Sequence, residues 1–169
     1  MHDLGDGFRF EYEPGVLRYG AGSVRHLDEE IERLGADRAL VVCGKTVGTT
    51  PAVIDPVTGG LGGRRAGTFA ETTPEKRLST AYDGLRAFRG TGADVLVSLG
   101  GGSSLDVAKV IAVLAAADRD PEDVGQELAG TGSISVPDGA LPPIVAIPTT
   151  LAGADLSTAA GVTASPNSG

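Results

Sequence analysis

The stretch Asp94–Lys109 constrains the fold more than any other part of this chain. A short apolar run, Val95–Leu99, leads directly into Gly100, Gly101 and Gly102, and a largely apolar segment, Leu105–Ala117, follows. The first run has the length of a strand, whereas the second is too long for a strand and has the length of a helix. The stretch therefore predicts a strand, a glycine turn and a helix.

Such a turn has the chemistry of an anion site. Three glycines let a ligand approach the backbone closely, and Ser103 can cap the helix that follows. The unpaired N–H groups of the first helical turn then point at the ligand, which predicts a phosphate site. A glycine-rich turn without any ligand is equally compatible with these residues alone.

The rest of the chain alternates between predicted strands and helices. This alternation implies βαβ units, and so an α/β, Rossmann-like fold with a mostly parallel sheet and helices on both faces. The glycine turn then lies at the carboxyl edge of the sheet, where such folds bind ligands. Further strands are predicted at 38–43, 67–70 and 141–147, and helices at 23–34, 51–57 and 74–88.

Two segments depart from the alternation. Residues 8–12 and 16–19 alternate apolar with polar side chains around a turn at 13–15, which predicts a hairpin or a pair of edge strands. Residues 118–139 are rich in acids, glycine and proline, and we expect a surface loop with at most one helical turn near 123–128. The five residues 59–63, four of them glycine, are expected to break the helix that begins at Pro51.

Length and charge limit the classes of function. A chain of 169 residues can form one domain, here 1–169, and a net charge of −8 excludes a general affinity for nucleic acid or anionic lipid. The longest apolar run, Val110–Ala117, is too short to cross a bilayer, and the acidic N-terminus is unlike a signal peptide. We expect a cytoplasmic protein without a membrane segment.

Composition adds two weaker indications. Lysine occurs only at positions 45, 76 and 109, so the acidic surface fits either a salt-loving organism or a GC-rich genome. Cys43 is alone and is accompanied only by His2 and His26, so the sequence predicts neither a disulfide nor a zinc cluster.

Two motifs resemble the iron-containing alcohol dehydrogenase family, whose superfamily also holds glycerol dehydrogenase and dehydroquinate synthase. The first motif is residues 100–109, GGGSSLDVAK, and the second is residues 148–163, PTTLAGADLSTAAGVT, about fifty positions later. The second is most similar to the maleylacetate reductase branch. With the stretch 18–23 the resemblance covers about Phe8 to Thr163.

The resemblance implies a set of cofactor contacts. Gly100, Gly101, Gly102 and Ser103 would cradle the pyrophosphate, and Thr149 and Thr150 would lie beside the adenosine half. Asp106 and Lys109, three apart on one helical face, either line the cofactor site or pair with each other. Ala154 and Asp155 depart from the family pattern.

Cofactor choice depends on the end of the first buried strand. Many family members place an aspartate there, which binds the 2′-hydroxyl of the adenosine ribose and repels a 2′-phosphate. This chain has Gly44 followed by Lys45, which favours NADP or dual use over strict NAD. The alternative is that Gly44 is only a turn residue and Lys45 points to solvent.

The resemblance also implies Fe²⁺ or Zn²⁺, bound by one aspartate and three histidines in a second, all-helical domain that we expect to be absent from this chain. Neither His2 nor His26 matches such a ligand. We expect a nucleotide-binding domain that is inactive alone. The full-length protein is expected to be a homo-oligomeric, dimeric oxidoreductase that acts on a small alcohol or carbonyl compound. The alternatives are a stand-alone, non-catalytic nucleotide-binding module, or an enzyme similar to glycerol dehydrogenase or dehydroquinate synthase.

Overall fold

The computed structural model describes residues 8–12 and 15–164. Short 3₁₀ segments lie at Ser23–His26, Gly62–Arg64 and Ala154–Leu156. The strands are β1 (Phe8–Tyr12), β2 (Gly15–Tyr19), β3 (Ala39–Val42), β4 (Arg65–Phe69), β5 (Val95–Gly100) and β6 (Ile144–Pro148). The helices are α1 (Leu27–Arg33), α2 (Lys45–Gly48), α3 (Pro51–Leu61), α4 (Leu78–Gly90), α5 (Gly102–Ala117) and α6 (Pro121–Thr131).

Strands β3 to β6 form a parallel sheet in the order β4-β3-β5-β6. The strands β1 and β2 pair separately and antiparallel, with Phe8 opposite Tyr19, so the predicted hairpin pairing is confirmed. The predicted turn residues Glu13 and Pro14 lie outside the described residues. The predicted Rossmann-like fold with a parallel sheet is confirmed.

The two central strands are buried on both faces. Every residue of β3 and β5 is buried, and alternate side chains enter different cores. Leu40 and Leu96 join the core formed with α4, α5 and α6, whereas Val41 and Val97 join the core formed with α1 and α3. Fully burying each such side chain stabilises the fold by about 1.5–3 kcal/mol. Helices therefore cover both faces, as predicted.

Helix α6 corrects the prediction for residues 118–139. We expected at most one helical turn, but Pro121–Thr131 forms a helix of 11 residues. The carboxylate of Asp120 caps it by accepting a hydrogen bond from the N–H of Glu122 at 2.8 Å, and Val124 is fully buried. Asp-Pro at the start and acids in the first turn were the sequence signal for this helix.

Helix α3 continues through glycines that were expected to break it. Gly59 and Gly60 are both helical. A Cβ at Gly60 would lie 2.0 Å from the carbonyl oxygen of Val24, so glycine is required there for close packing against the 3₁₀ segment. The expected helix end was wrong because tertiary contact outweighs the helix propensity of glycine.

The starts of α1 and α4 also differ from the prediction. The predicted helix begins at residue 23, but Ser23–His26 form a 3₁₀ turn and α1 begins at Leu27. Leu34, the last residue of the predicted helix, follows the end of α1 and is 47% exposed. Helix α4 begins at Leu78 instead of near Pro74, because Arg77 is extended and forms a parallel bridge with Thr163.

Membrane crossing requires a long apolar helix, and none of the helices in the described part of the chain meets that requirement.

The contact between α4 and α5 depends on a glycine. A Cβ at Gly84 would lie 2.4 Å from Cδ1 of the fully buried Ile111 and 3.2 Å from the Phe69 ring. We predict that Gly84→Ala lowers the free energy of unfolding by about 1 kcal/mol, because overpacking outweighs the gain in helix propensity. Urea unfolding measures this difference.

The matched control is Gly90→Ala in the same helix, where an added Cβ would meet nothing within 4 Å. We expect this control to leave stability unchanged or to raise it by up to about 1 kcal/mol. Equal stabilisation by both substitutions would contradict the packing argument.

Candidate functional site

The sheet has a topological switch point between β3 and β5. The connection from β3 to β4 passes through α3 on one face, and that from β5 to β6 passes through α5 and α6 on the other. The two connections leave in opposite directions, so the carboxyl ends of β3 and β5 open a crevice between them. Open α/β sheets bind their ligands in such crevices.

The glycine turn forms one side of this crevice. Gly100 has a φ of +145°, which side chains rarely adopt, and a Cβ there would lie 2.7 Å from the Ser104 hydroxyl oxygen. Gly101 is the N-cap of α5, and Gly102 begins the helix. The N–H groups of Gly102 and Ser103 thus lie in the first helical turn, where the chain offers no acceptor four residues earlier within the helix. They suit an anion.

The opposite wall is residues 149–155, which follow β6 and which we call the wall segment. The N–H of Thr149 donates to the carbonyl of Gly100 at 2.9 Å. A Cβ at Gly101 would lie 3.2 Å from Oγ1 of Thr150, and one at Gly102 would lie 3.5 Å from the Ala152 methyl. Glycine turn and wall segment are therefore close enough that any added side chain fills the space between them.

A cleft of about 230 Å³, measured to its open mouth, lies between the turn and the wall. The cleft brings together Gly100, Gly101, Gly102 and Thr150 from the predicted site. Its other lining residues are Ser98, Leu105, Ala146, Ile147, Pro148, Ala152, Ala154 and Asp155.

A buried hydroxyl pair lies beneath the crevice. Oγ1 of Thr72 and Oγ of Ser104 are 3.1 Å apart, and both residues are buried, at 7% and 4% exposure. The Thr72 carbonyl is 3.2 Å from where a Cβ of Gly44 would lie. The pair thus joins the loop after β4 to the first turn of α5. Sequence reasoning missed it, because Thr72 belongs to no motif and the motif at 100–109, which contains Ser104, does not show which partner that hydroxyl has.

Gly44 and Lys45 lie at the end of β3, on the other side of the crevice from the glycine turn. Gly44 is extended and is the N-cap of α2, and Lys45 is exposed at the first position of that helix. A Cβ at Gly44 would be tight against Thr72 but, apart from its chain neighbours, would meet no other described residue within 4 Å. The position is open enough to accept part of a ligand.

Two expectations need correction, the Ser103 cap and, of the two alternatives for Asp106 and Lys109, their pairing with each other. Ser103 does not cap α5, because the helix begins at Gly102 and no described side chain caps it. Asp106 and Lys109 do not pair with each other. Asp106 instead binds Nζ of Lys76 at 2.9 Å, and Nζ of Lys109 donates to backbone carbonyls of the segment after β6.

Cys43, just before Gly44, does not offer a nucleophile. Its side chain is completely buried, and burial raises the pKa of the thiol above its ordinary value. The neutral thiol is the favoured form, and it packs as a small apolar group.

The metal implied by the sequence resemblance does not fit these residues. Among the side chains of residues 15–164, no cluster of three or more histidine, cysteine, aspartate or glutamate residues could hold an ion. We therefore assign no metal ligand here. The glycine cradle, by contrast, fits a pyrophosphate, because a Cβ would occupy the space that the phosphate oxygens need.

Comparison with known proteins agrees with this arrangement. The sequence model for "Iron-containing alcohol dehydrogenase" matches residues 14–168. Lactaldehyde reductase of Escherichia coli K12 is 35% identical over 137 residues, which are 78% of this chain and 34% of the reductase. Maleylacetate reductase of Burkholderia cepacia is 31% identical over 161 residues, or 94% and 37%.

A solved structure is also similar to this chain. Maleylacetate reductase from Agrobacterium tumefaciens superposes with a TM-score of 0.63 at 29% identity, covering 86% of this chain and 34% of that one. The chain thus spans about a third of the length of the curated relatives it matches.

We predict that the hydroxyl pair stabilises the crevice. Ser104→Ala should lower the free energy of unfolding by about 1–2 kcal/mol, because it leaves the Thr72 hydroxyl buried without its partner. Thr72→Val should cost a similar amount, and the double variant should lose less than the sum. A double-mutant cycle in urea measures the coupling.

Ser103→Ala is the control, since it removes a hydroxyl from the same turn but outside this pair. Its effect should stay within about 0.5 kcal/mol. Strictly additive losses for Thr72 and Ser104 would contradict a coupling between the two hydroxyls.

Proposed function

Because the chain belongs to the iron-containing alcohol dehydrogenase family, a family of oxidoreductases, we propose that residues 1–169 form its dinucleotide-binding domain. In this proposal the domain holds NAD(P) while hydride passes between the cofactor and a small alcohol or carbonyl compound. The matched relatives are named reductases and dehydrogenases, which supports this assignment over a lyase.

The observation that carries the proposal is the glycine turn at the switch point. Gly100, Gly101 and Gly102 present no side chain to the crevice, and α5 directs its first N–H groups there. Backbone donors at a helix N-terminus favour a dianion such as pyrophosphate. We assign the pyrophosphate to Gly100–Ser103 and the adenosine half to Thr149 and Thr150.

The adenosine ribose would then lie near Gly44. Gly44 lacks the carboxylate that repels a 2′-phosphate, and the exposed Lys45 adds a positive charge that attracts one. We therefore propose that the site accepts NADP, or both cofactors, rather than NAD alone. Nothing in this assignment requires acid–base chemistry from the described residues. Their role is to bind and orient the cofactor.

Binding of the pyrophosphate is tested by Gly101→Val. A Cβ at this position already approaches Thr150 to 3.2 Å, so the larger side chain closes the cleft. We predict at least a tenfold weaker affinity for NADH and NADPH, equivalent to about 1.4 kcal/mol, with a smaller change in stability. Calorimetric titration and thermal melting measure the two effects.

Gly130→Val is the matched control, because an added Cβ there meets nothing within 4 Å. It should leave both dissociation constants unchanged. Equal losses of binding and stability in Gly101→Val would favour a purely structural turn, and the absence of any dinucleotide binding by the unaltered chain would overturn the proposal.

Cofactor choice is tested at Gly44. We predict that Gly44→Asp shifts the preference from NADPH toward NADH by about 1 kcal/mol or more, the scale of a charge-assisted contact. Dissociation constants for both cofactors, measured on both variants at one stated high salt concentration, give this shift.

Gly44→Asn separates charge from size. The added Cβ lies 3.2 Å from the Thr72 carbonyl in either variant, so both must displace the same backbone slightly. Asn should weaken the two cofactors alike, whereas Asp should weaken NADPH more. A parent chain that prefers NADH strongly, with no change in Gly44→Asp, would contradict a ribose-reading role for this position.

A further inference from the structure

Residues 151–164, which follow Thr149 and Thr150 in the chain, have little regular structure. One 3₁₀ turn, Ala154–Leu156, interrupts an otherwise irregular and mostly exposed path. Leu151 and Leu156 are 107% and 81% exposed, so apolar burial does not hold this path in place at those positions. Ordering a backbone costs roughly 1–2 kcal/mol per residue, and other contacts must offset that cost.

Lys109 supplies such contacts. Its Nζ, in the middle of α5, donates to the carbonyls of Ala154, Ser157 and Ala159 at 2.7, 2.5 and 2.9 Å. An ammonium group has three N–H donors, and three carbonyls accept from it here. The bonds are charge-assisted, and no salt bridge within the described residues includes this lysine.

A second tie holds the far end of the same path. The N–H and Oγ1 of Thr163 donate to the carbonyls of Lys76 and Glu75 at 3.0 and 2.8 Å. The N–H of Leu78 in turn donates to the Thr163 carbonyl at 2.9 Å. This tie does not involve Lys109, so the two attachments can be separated by substitution.

We propose that Lys109 is a positioning residue for the cofactor site. It holds residues 154–159 against α5 and so keeps the wall segment over the glycine turn, without touching the cofactor. Its three donors are already used, whereas a phosphate-binding lysine needs a free one. The proposal rests on the proposed function, because the wall is taken to contact a dinucleotide.

The attachment made by Lys109 is directly connected to the glycine turn. Ala154 takes part in both, since its carbonyl accepts a hydrogen bond from Lys109 and its methyl would lie 3.7 Å from a Cβ at Gly102. Displacing residue 154 therefore changes the cleft beside the first residue of α5. Helix α5 carries both the lysine and the N–H groups of the turn, so it sets the spacing between turn and wall.

The first test is Lys109→Met, which keeps the apolar stem and removes the ammonium. We expect hydrogen exchange to accelerate in peptides covering 151–160, while peptides around Thr163 and in β5 keep their protection. Arg86→Met, on an exposed position of α4, is the control and should change neither region. Unchanged exchange at 151–160 in Lys109→Met would overturn the proposal, whatever the chain binds.

The second test measures affinity for NADPH and NADH. Lys109→Met should raise both dissociation constants about tenfold, the scale of losing a set of charge-assisted hydrogen bonds. Faster exchange with unaltered affinity would overturn the positioning role. If the unaltered chain binds neither cofactor, the proposed function is overturned. The exchange experiment alone then decides whether Lys109 holds residues 154–159 against α5.

A double-mutant cycle with Thr150→Ala separates positioning from direct contact. If Lys109 acts through the wall, its loss should cost less than about threefold once the wall's own threonine contact is gone. Equal fold-changes in both backgrounds would show that Lys109 and Thr150 act independently and would overturn the proposal.

Discussion

Strands that are buried on both faces can contact a ligand only near their ends. Every residue of β3 and β5 is buried, and their apolar side chains belong to one core or the other, whereas Ser98 of β5 lines the cleft. Polar contacts with a ligand therefore arise near the ends of these strands. The two strands stop side by side, and their connections leave in opposite directions. The crevice that results positions Gly44, Gly100 and the first turn of α5 around one space.

Small residues determine how closely the parts of this site approach each other. Gly100 lies against Ser104, Gly101 against Thr150, and Gly44 against Thr72. At all three positions the missing side chain leaves the backbone accessible to a ligand, and only Gly100, with a φ of +145°, also needs glycine for its conformation. The buried pair of Thr72 and Ser104 connects the two sides beneath, so the floor of the crevice is held by a hydrogen bond.

The wall of the site has a different physical basis from the sheet. The sheet is held by apolar burial, whereas the wall depends on Lys109 and on the contacts of Thr163 with the start of α4. Polar ties of this kind contribute less per residue than a packed core, and they yield to local opening first. The floor and the wall can therefore differ in mobility within one domain.

The parallel sheet, the glycine turn and the family could be predicted from the sequence, because apolar runs and short motifs are local signals. The sequence also indicated most helices, but it predicted at most one turn of α6 and misjudged where α1, α3 and α4 begin or end. Those limits depend on contacts such as Gly60 with Val24 and Arg77 with Thr163, which lie far apart in the chain.

The partners of Asp106 and Lys109 could not be predicted from the sequence and are seen only in the folded chain. Asp106 and Lys109 are three residues apart, and their spacing allows a pair within the helix. In the folded chain Lys76 forms an ion pair with Asp106, and three backbone carbonyls accept hydrogen bonds from Lys109. A carbonyl occurs at every residue and leaves no mark in the sequence, so the partners of Lys109 become visible only when the chain is folded.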